Sequence, residues 1–183
     1  VVLANPCPIF PRHYTVIRPE HGTRPVTAEL AGLLALARDF APGITLFYNG
    51  PRAGASAPDH FHFQACSAGR LPVEEELLGP PGPPAERLLA WAEEAGAEVQ
   101  VVDAGARGAI LFAGTEPGGV ARLVARAVDL LPPGGPVEPD LNLVARHDGE
   151  RWRLALFPRR AHRPACYSAP GPERLLVSPG AAD

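Results

Sequence analysis

The sequence predicts an α+β fold: a mostly antiparallel sheet with flanking helices. Three observations predict it. Segments of strand character outnumber those with helical spacing. Most neighbouring strand segments are separated by turn signals rather than by crossover helices, the arrangement antiparallel pairing allows. No G-x-G-x-x-G or G-x-x-x-x-G-K-[ST] pattern stands between a strand and a helix, which argues against a doubly wound nucleotide-binding fold.

Taken in order, "VVLANPCPIFPRHYTVI" reads as a strand, a proline-punctuated turn and a second strand over Tyr14 to Ile17. Thr27 stands where it can cap a helix whose apolar face is Leu30, Leu33, Leu34, Ala37 and Phe40, and Pro42-Gly43 stops that helix. "ITLFYN" is a buried strand, and after the loop "GPRAGASAPD" comes "HFHFQACS", another strand. Because side chains alternate across a strand, Phe61, Phe63 and Ala65 face the core while His60, His62 and Gln64 share the opposite face. "LGPPGPP", Leu78 to Pro84, cannot hold regular structure and reads as a linker inside one domain spanning 1–183. "AERLLAWAEEAGAE" is a helix ending near Gly96; "VQVVDA" and "AILFAG" pair as strands. "GGVARLVARAVDLL" places Val120, Leu123, Val124, Ala127 and Leu131 on one helical face. "LNLVARHDGERWRLALF" is a hairpin turning at Asp148-Gly149, and "RLLVS" is a short last strand.

The 183 residues suffice for one domain with a proper core. A net charge of −3 argues against a general nucleic-acid binder, whose affinity would come from neutralising phosphates. No apolar run approaches a membrane span and no signal-peptide pattern opens the chain. Cys7, Cys66 and Cys166 are odd in number and widely spaced, so a reduced, cytoplasmic protein is expected. The chain has no methionine, and further residues are expected before Val1 and beyond Asp183.

The segment "GASAPDHFHFQA" admits three readings. Two histidines at alternate strand positions can be ordinary surface residues. They can also be two ligands of a zinc site, with Cys7, His13, Asp59 or Glu74 as further ligands, though none stands at a diagnostic spacing. Or an imidazole can be a nucleophile towards phosphorus, splitting one transfer into two easier steps. The surroundings suit that chemistry. Gly50, Gly54, Ala55 and Ala57 leave backbone N–H groups open to an anion, Ser56 adds a hydroxyl, Asn49 an amide and Arg52 a positive charge. Gln64 can donate its amide to a phosphoryl oxygen without taking up a proton.

"FYNG…GASAPDHFHFQ" resembles the active-site segment of the histidine triad superfamily, in which a small-residue loop leads to H-x-H-x-H or H-x-H-x-Q. The glutamine is similar to that of the transferase and phosphorylase branch, and "GAS…H-x-HFQA" followed by "LPVE" resembles the GDP-hexose phosphorylases. "NPCPIFPRHYTV" resembles the superfamily's first strand pair, and "RWRLALFPRRAHRP" and "LLVSPGAAD" resemble late segments of the GDP-hexose phosphorylases and of related uncharacterised bacterial proteins. The resemblance implies a histidine-triad-like sheet in which His62 takes up a nucleoside monophosphate. His60 orients it, partly through its backbone carbonyl, and Gln64 holds the phosphoryl group. Asn49 and Ser56 would contact phosphate oxygens. The chain departs from the pattern in having three residues, Ala57, Pro58 and Asp59, between Ser56 and His60 where two are usual, which shifts Ser56 one position along the loop relative to the pattern. No metal is required, and no homologous pair of zinc cysteines is present.

Arg159 and Arg160, in "FPRRAHRP", are candidates for binding a phosphate of product or acceptor, with a solvated basic turn as the alternative. Asn5, Ile9 and Phe10 can border a base and ribose, and a core strand explains Ile9 and Phe10 equally well. His13 is expected to be structural, His21 and His147 to lie on the surface, and Glu74, Glu75 and Glu76 to form a solvated charge run. Trp91 and Trp152 are expected to pack rather than to offer stacking platforms. The expected reaction moves a nucleoside monophosphate from a nucleoside diphosphate sugar or a dinucleoside polyphosphate to phosphate or a sugar phosphate. A hydrolase and a non-catalytic nucleotide-binding domain are the alternatives. A homodimer is expected from the resemblance.

Overall fold

The structure is a computed structural model that describes residues 1–78, 86–103, 108–161, 163 and 165–175. Eight strands form one sheet: β1 (Val2–Ala4), β2 (Tyr14–Ile17), β3 (Ile44–Asn49), β4 (His62–Ser67), β5 (Ala97–Asp103), β6 (Gly108–Gly114), β7 (Leu141–His147) and β8 (Trp152–Pro158). Their order is β1-β2-β4-β3-β7-β8-β6-β5 and every pairing is antiparallel. Each of the pairs β1–β2, β3–β4, β5–β6 and β7–β8 is consecutive in sequence, and helices fill the connections between pairs. The expected α+β class is therefore the observed one.

The alternation of each strand decides the two faces. Leu46 and Tyr48 of β3, Phe63 and Ala65 of β4, Leu141, Leu143 and Ala145 of β7, and Leu154 and Leu156 of β8 form the main core, with Phe61 just before β4. Helix α1 (Leu30–Asp39) and helix α4 (Pro117–Asp129) cover it with Leu30, Leu33, Leu34, Ala37, Val120, Leu123, Val124 and Ala127. Helix α3 (Glu86–Ala95) lies against α4, whose Gly119 is needed there: a Cβ would collide with the Ala95 carbonyl oxygen. The tryptophans pack as expected. Trp152 is buried in this core and donates its indole N–H to the Leu34 carbonyl, and Arg126 lies over the Trp91 ring. Phe40 is only half-buried and caps α1.

The opposite face carries a second, smaller core: Phe47, Cys66, Leu71, Val73, Ala109, Val144, Ala155 and Phe157, with Phe10 packed against it. Part of its cover is helix α2 (Val73–Leu78), which sequence periodicity did not reveal and which contains Leu78, the first residue of the expected linker. Residues 79–84 of that linker lie outside the described residues, as do His162 and 176–178 of the expected last strand; Arg174 and Leu175 are in neither helix nor strand. Glu74 is not solvated. Only 2% exposed, it accepts the N–H groups of Gly69, Arg70 and Leu71 and pairs with Arg146, so its charge serves to close the turn before α2. Burial first, and the Glu74 carboxylate second, push the neighbouring Cys66 thiol up to about 12. His147 is buried too, edge-on to Trp152, where its Nδ1 accepts the Gly149 N–H of the hairpin turn.

Thr27 caps no helix. A short 3-10 turn, Val26–Glu29, precedes α1, and the Val26 N–H donates to the carboxylate of Glu138, a residue distant in sequence (2.7 Å). The other oxygen of Glu138 accepts the Tyr48 hydroxyl at 2.6 Å. Burial raises the Glu138 carboxyl, and the two hydrogen bonds only partly oppose that. A carboxyl with a raised folded-state pKa lends stability that is complete below its unfolded value, near 4.5, and is lost as pH rises through the folded value. Urea melts of the wild type should thus lose stability above about pH 4.5, relative to Glu138→Gln, which keeps an acceptor for Val26 but cannot ionise. Parallel pH profiles for the two proteins would contradict this. Among the described residues, no helix is long and apolar enough to cross a membrane.

Candidate functional site

The second face also carries a cleft of about 540 Å³ beside the smaller core, within the range of small-molecule sites. Its floor is the sheet: Thr15 and Ile17 of β2, Phe47 and Asn49 of β3, His62 and Gln64 of β4. Register brings them together, since Thr15 stands opposite Gln64, Ile17 opposite His62 and Phe47 opposite Gln64. One wall is the β1–β2 connection with Asn5, Pro6, Cys7, Ile9 and His13; the other is the β3–β4 loop with Gly54, Ser56, Ala57 and His60. No carboxylate and no guanidinium lines the cleft among the described residues.

His62 is 6% exposed, and its Nδ1 lies 2.8 Å from the His60 carbonyl oxygen. A carbonyl only accepts, so Nδ1 carries the proton and the ring keeps its lone pair on Nε2. His60 itself lies before β4, not within it: the strand begins at His62, and the β3–β4 loop turns at His60. Its ring leaves the strand pattern to meet His21, Nδ1 to Nδ1 at 2.9 Å, and the Arg18 carbonyl at 3.3 Å. Gln64 Oε1 lies 2.8 Å from Nε2 of the buried His13.

Asn49 is held by a neighbour that the sequence pattern does not expose. Asn142, fully buried on β7, donates its amide to Asn49 Oδ1 (2.7 Å) and to the Ala53 carbonyl (2.6 Å), and accepts from Arg159 at 3.0 Å. Asn142 thereby ties β3 and the start of the cleft loop to the segment after β8. Arg159 acts behind this network rather than in the cleft lining, and Arg160 is exposed outside it. Arg52 likewise stands outside the lining: it reaches across to Asp140 (3.6 Å) and the Gly134 carbonyl (3.3 Å), joining two loops. Gly50 is required where it is, because a Cβ would press within 2.8 Å of the Leu141 carbonyl. Its N–H is donated to that same carbonyl, and the Ala55 N–H to the Gly50 carbonyl, so neither is open to an anion as expected. Gly54, Ser56 and Ala57 do reach the cleft, Ser56 despite the extra loop residue.

Asn5 lines the cleft with its amide on the Thr15 hydroxyl, and Ile9 lines it while 68% exposed. Phe10 belongs instead to the smaller core, edge-on to Phe47 and His13. Among the described residues, no three His, Cys, Asp or Glu side chains gather into a group able to hold a metal ion; Glu74, one candidate ligand, is committed to the turn before α2.

Residues 1–67 match the family model described as "Domain of unknown function (DUF4922)", about a third of the chain. No curated protein sequence matches. Among solved structures, a DUF4931 family protein from Bacillus cereus superposes with a TM-score of 0.57 at 15% identity, over 98% of this chain and 89% of the other. Yeast Ap4A phosphorylase Apa2 in complex with AMP superposes with a TM-score of 0.55 at 16% identity, covering 97% of this chain. The chain spans 60% of that phosphorylase's length. At these identities the likeness is one of fold.

Proposed function

We propose that the cleft transfers a nucleoside monophosphate through His62. The observation that carries this reading is the hydrogen bond fixing Nδ1–H of His62 on the His60 carbonyl, which leaves Nε2 as a lone-pair nucleophile in a cleft with no carboxylate in its lining among the described residues. In the first half-reaction, Nε2 attacks the α-phosphorus of the donor. A P–N bond forms, the bond from phosphorus to the bridging oxygen breaks, and the leaving group takes that electron pair: a sugar phosphate from a nucleoside diphosphate sugar, or a nucleoside polyphosphate from a dinucleoside polyphosphate. The positive charge arriving on the imidazole is shared with Nδ1–H and eased by the His60 carbonyl. In the second, an oxygen of inorganic phosphate attacks the same phosphorus, the P–N bond breaks, and the product is a nucleoside diphosphate.

The donor we favour is a dinucleoside polyphosphate or a nucleoside diphosphate sugar, with phosphate or a sugar phosphate as acceptor. The fold likeness to Ap4A phosphorylase supports the first class; the H-x-H-x-Q segment with "LPVE", similar to GDP-hexose phosphorylases, supports the second. Gln64 and Asn49 would hold phosphoryl oxygens, and the reading requires no metal. The test is intact-mass spectrometry after mixing the protein, free of phosphate, with GDP-, UDP- and ADP-sugars and diadenosine tetraphosphate. An acid-labile nucleoside-monophosphate adduct is expected from one donor, released as a nucleoside diphosphate when phosphate is added. Binding of a donor with no adduct would overturn covalent transfer, and release of the monophosphate by water alone would make the protein a hydrolase.

A further inference from the structure

An amide side chain has two ends alike in shape and opposite in polarity, so a glutamine that is to hold an anion must be told which end to present. Gln64 can do so only if its carbonyl is turned away from the cleft. The buried ring of His13 lies roughly parallel to Phe47 (centroids 6.0 Å apart, planes at 30°) and edge-on to Phe10, which fixes its plane. The Ile9 backbone N–H points at Nδ1 from 3.3 Å. A backbone N–H can only donate, so Nδ1 is the bare nitrogen and the ring's proton sits on Nε2. That Nε2–H meets Gln64 Oε1 at 2.8 Å. Asn5 completes the arrangement: its amide stands 3.4 Å from the same Nε2, donor facing donor, and is satisfied instead by the Thr15 hydroxyl at 3.1 Å.

We infer that His13 is a positioning residue: it claims the carbonyl of Gln64 so that the NH₂ end faces the phosphoryl oxygens in the cleft. The inference rests on the nucleotidyl-transfer reading for its consequence, but the arrangement itself is separable from it. A carbonyl oxygen turned into the cleft would repel the anion that Gln64 is there to hold. The chain thus uses one buried histidine to aim a second side chain rather than to do chemistry.

The test begins with a readout that needs no activity. Long-range ¹H–¹⁵N spectra of histidine-labelled protein should show His13 as the Nε2–H tautomer; the Nδ1–H tautomer would overturn the proposal. Gln64 and Gln100 are the only glutamines in the chain, so labelling their side-chain amides gives two pairs of signals. His13→Phe keeps a buried ring and removes both nitrogens. It should shift the Gln64 pair and speed exchange between its two protons while leaving the Gln100 pair in place. With the donor that labels His62, adduct formation should slow by roughly 10- to 100-fold, since the NH₂ end of Gln64 no longer faces the phosphoryl oxygens. An unchanged Gln64 pair, or an unchanged adduct rate, overturns the proposal. Should His13→Phe fail to fold, the wild-type tautomer still decides. If no donor ever labels His62 while the tautomer is Nε2–H, the nucleotidyl-transfer reading has failed and the His13–Gln64 arrangement has not.

Discussion

His62→Asn should lower nucleotidyl transfer by about 10⁴-fold or more, the usual scale for removing a nucleophile, while the protein stays folded. Asparagine can still donate to the His60 carbonyl in place of Nδ1 (2.8 Å), but it brings no lone-pair nitrogen to the cleft. His60→Ala makes the contrast. What His60 gives His62 is a backbone carbonyl, and its own ring is engaged with His21 and Arg18 at the surface. Removing that ring should lower turnover by about tenfold or less, because the ring borders the cleft but makes its hydrogen bonds to His21 and Arg18. Turnover and adduct formation measured side by side decide the matter. Near-normal turnover in His62→Asn would sink the mechanism, and equal losses in the two variants would mean that the His60 side chain itself takes part.

How much of this is legible in the sequence depends on whether a feature is periodic. The alternation of His60, His62 and Gln64 against Phe61, Phe63 and Ala65 is visible, because a strand's period of two needs only local residues. It misplaces His60 because the strand starts two residues later, at a loop whose turn is set by contacts to His21 and Arg18. The helices are legible where an apolar stripe is long, as in α4. Six-residue α2 is too short to show one, and its Glu74 reads as solvent-facing because nothing local announces the Arg146 that meets it 72 positions on. The polar partners of the site are hidden for the same reason. His13 reaches Gln64 across 51 positions, Tyr48 reaches Glu138 across 90 and Asn142 reaches Asn49 across 93. Such pairs exist only once the sheet order β2-β4-β3-β7 has brought these strands and the residues flanking them together. The cleft's composition also depends on topology. Arg52 and Arg159 look like phosphate ligands in sequence, yet Asp140 and Asn142 take them up behind the walls.

The largest stability loss is expected at Asn142. All of its polar atoms face partners: the amide gives its hydrogens to Asn49 Oδ1 and the Ala53 carbonyl, and the carbonyl accepts from Arg159. Asn142→Leu keeps the branched shape but strips the Ala53 carbonyl of its 2.6 Å donor in a fully buried place, and deprives Asn49 and Arg159 of this partner. A buried polar group that loses its partner costs about 1–3 kcal/mol, so removing all three hydrogen bonds should come to about 3–4 kcal/mol in urea melts, with a matching fall in Tm. Asn142→Asp separates hydrogen bonding from packing. It keeps the acceptor for Arg159 but turns carboxylate oxygens on Asn49 Oδ1 and the Ala53 carbonyl, acceptor against acceptor, so it should be no more stable than the leucine variant. Asn49 lines the cleft beside His62, so both variants should also weaken donor binding, by about tenfold, on the scale of one lost hydrogen bond. An aspartate variant as stable as the wild type would mean that the cleft loop is held by something other than this network.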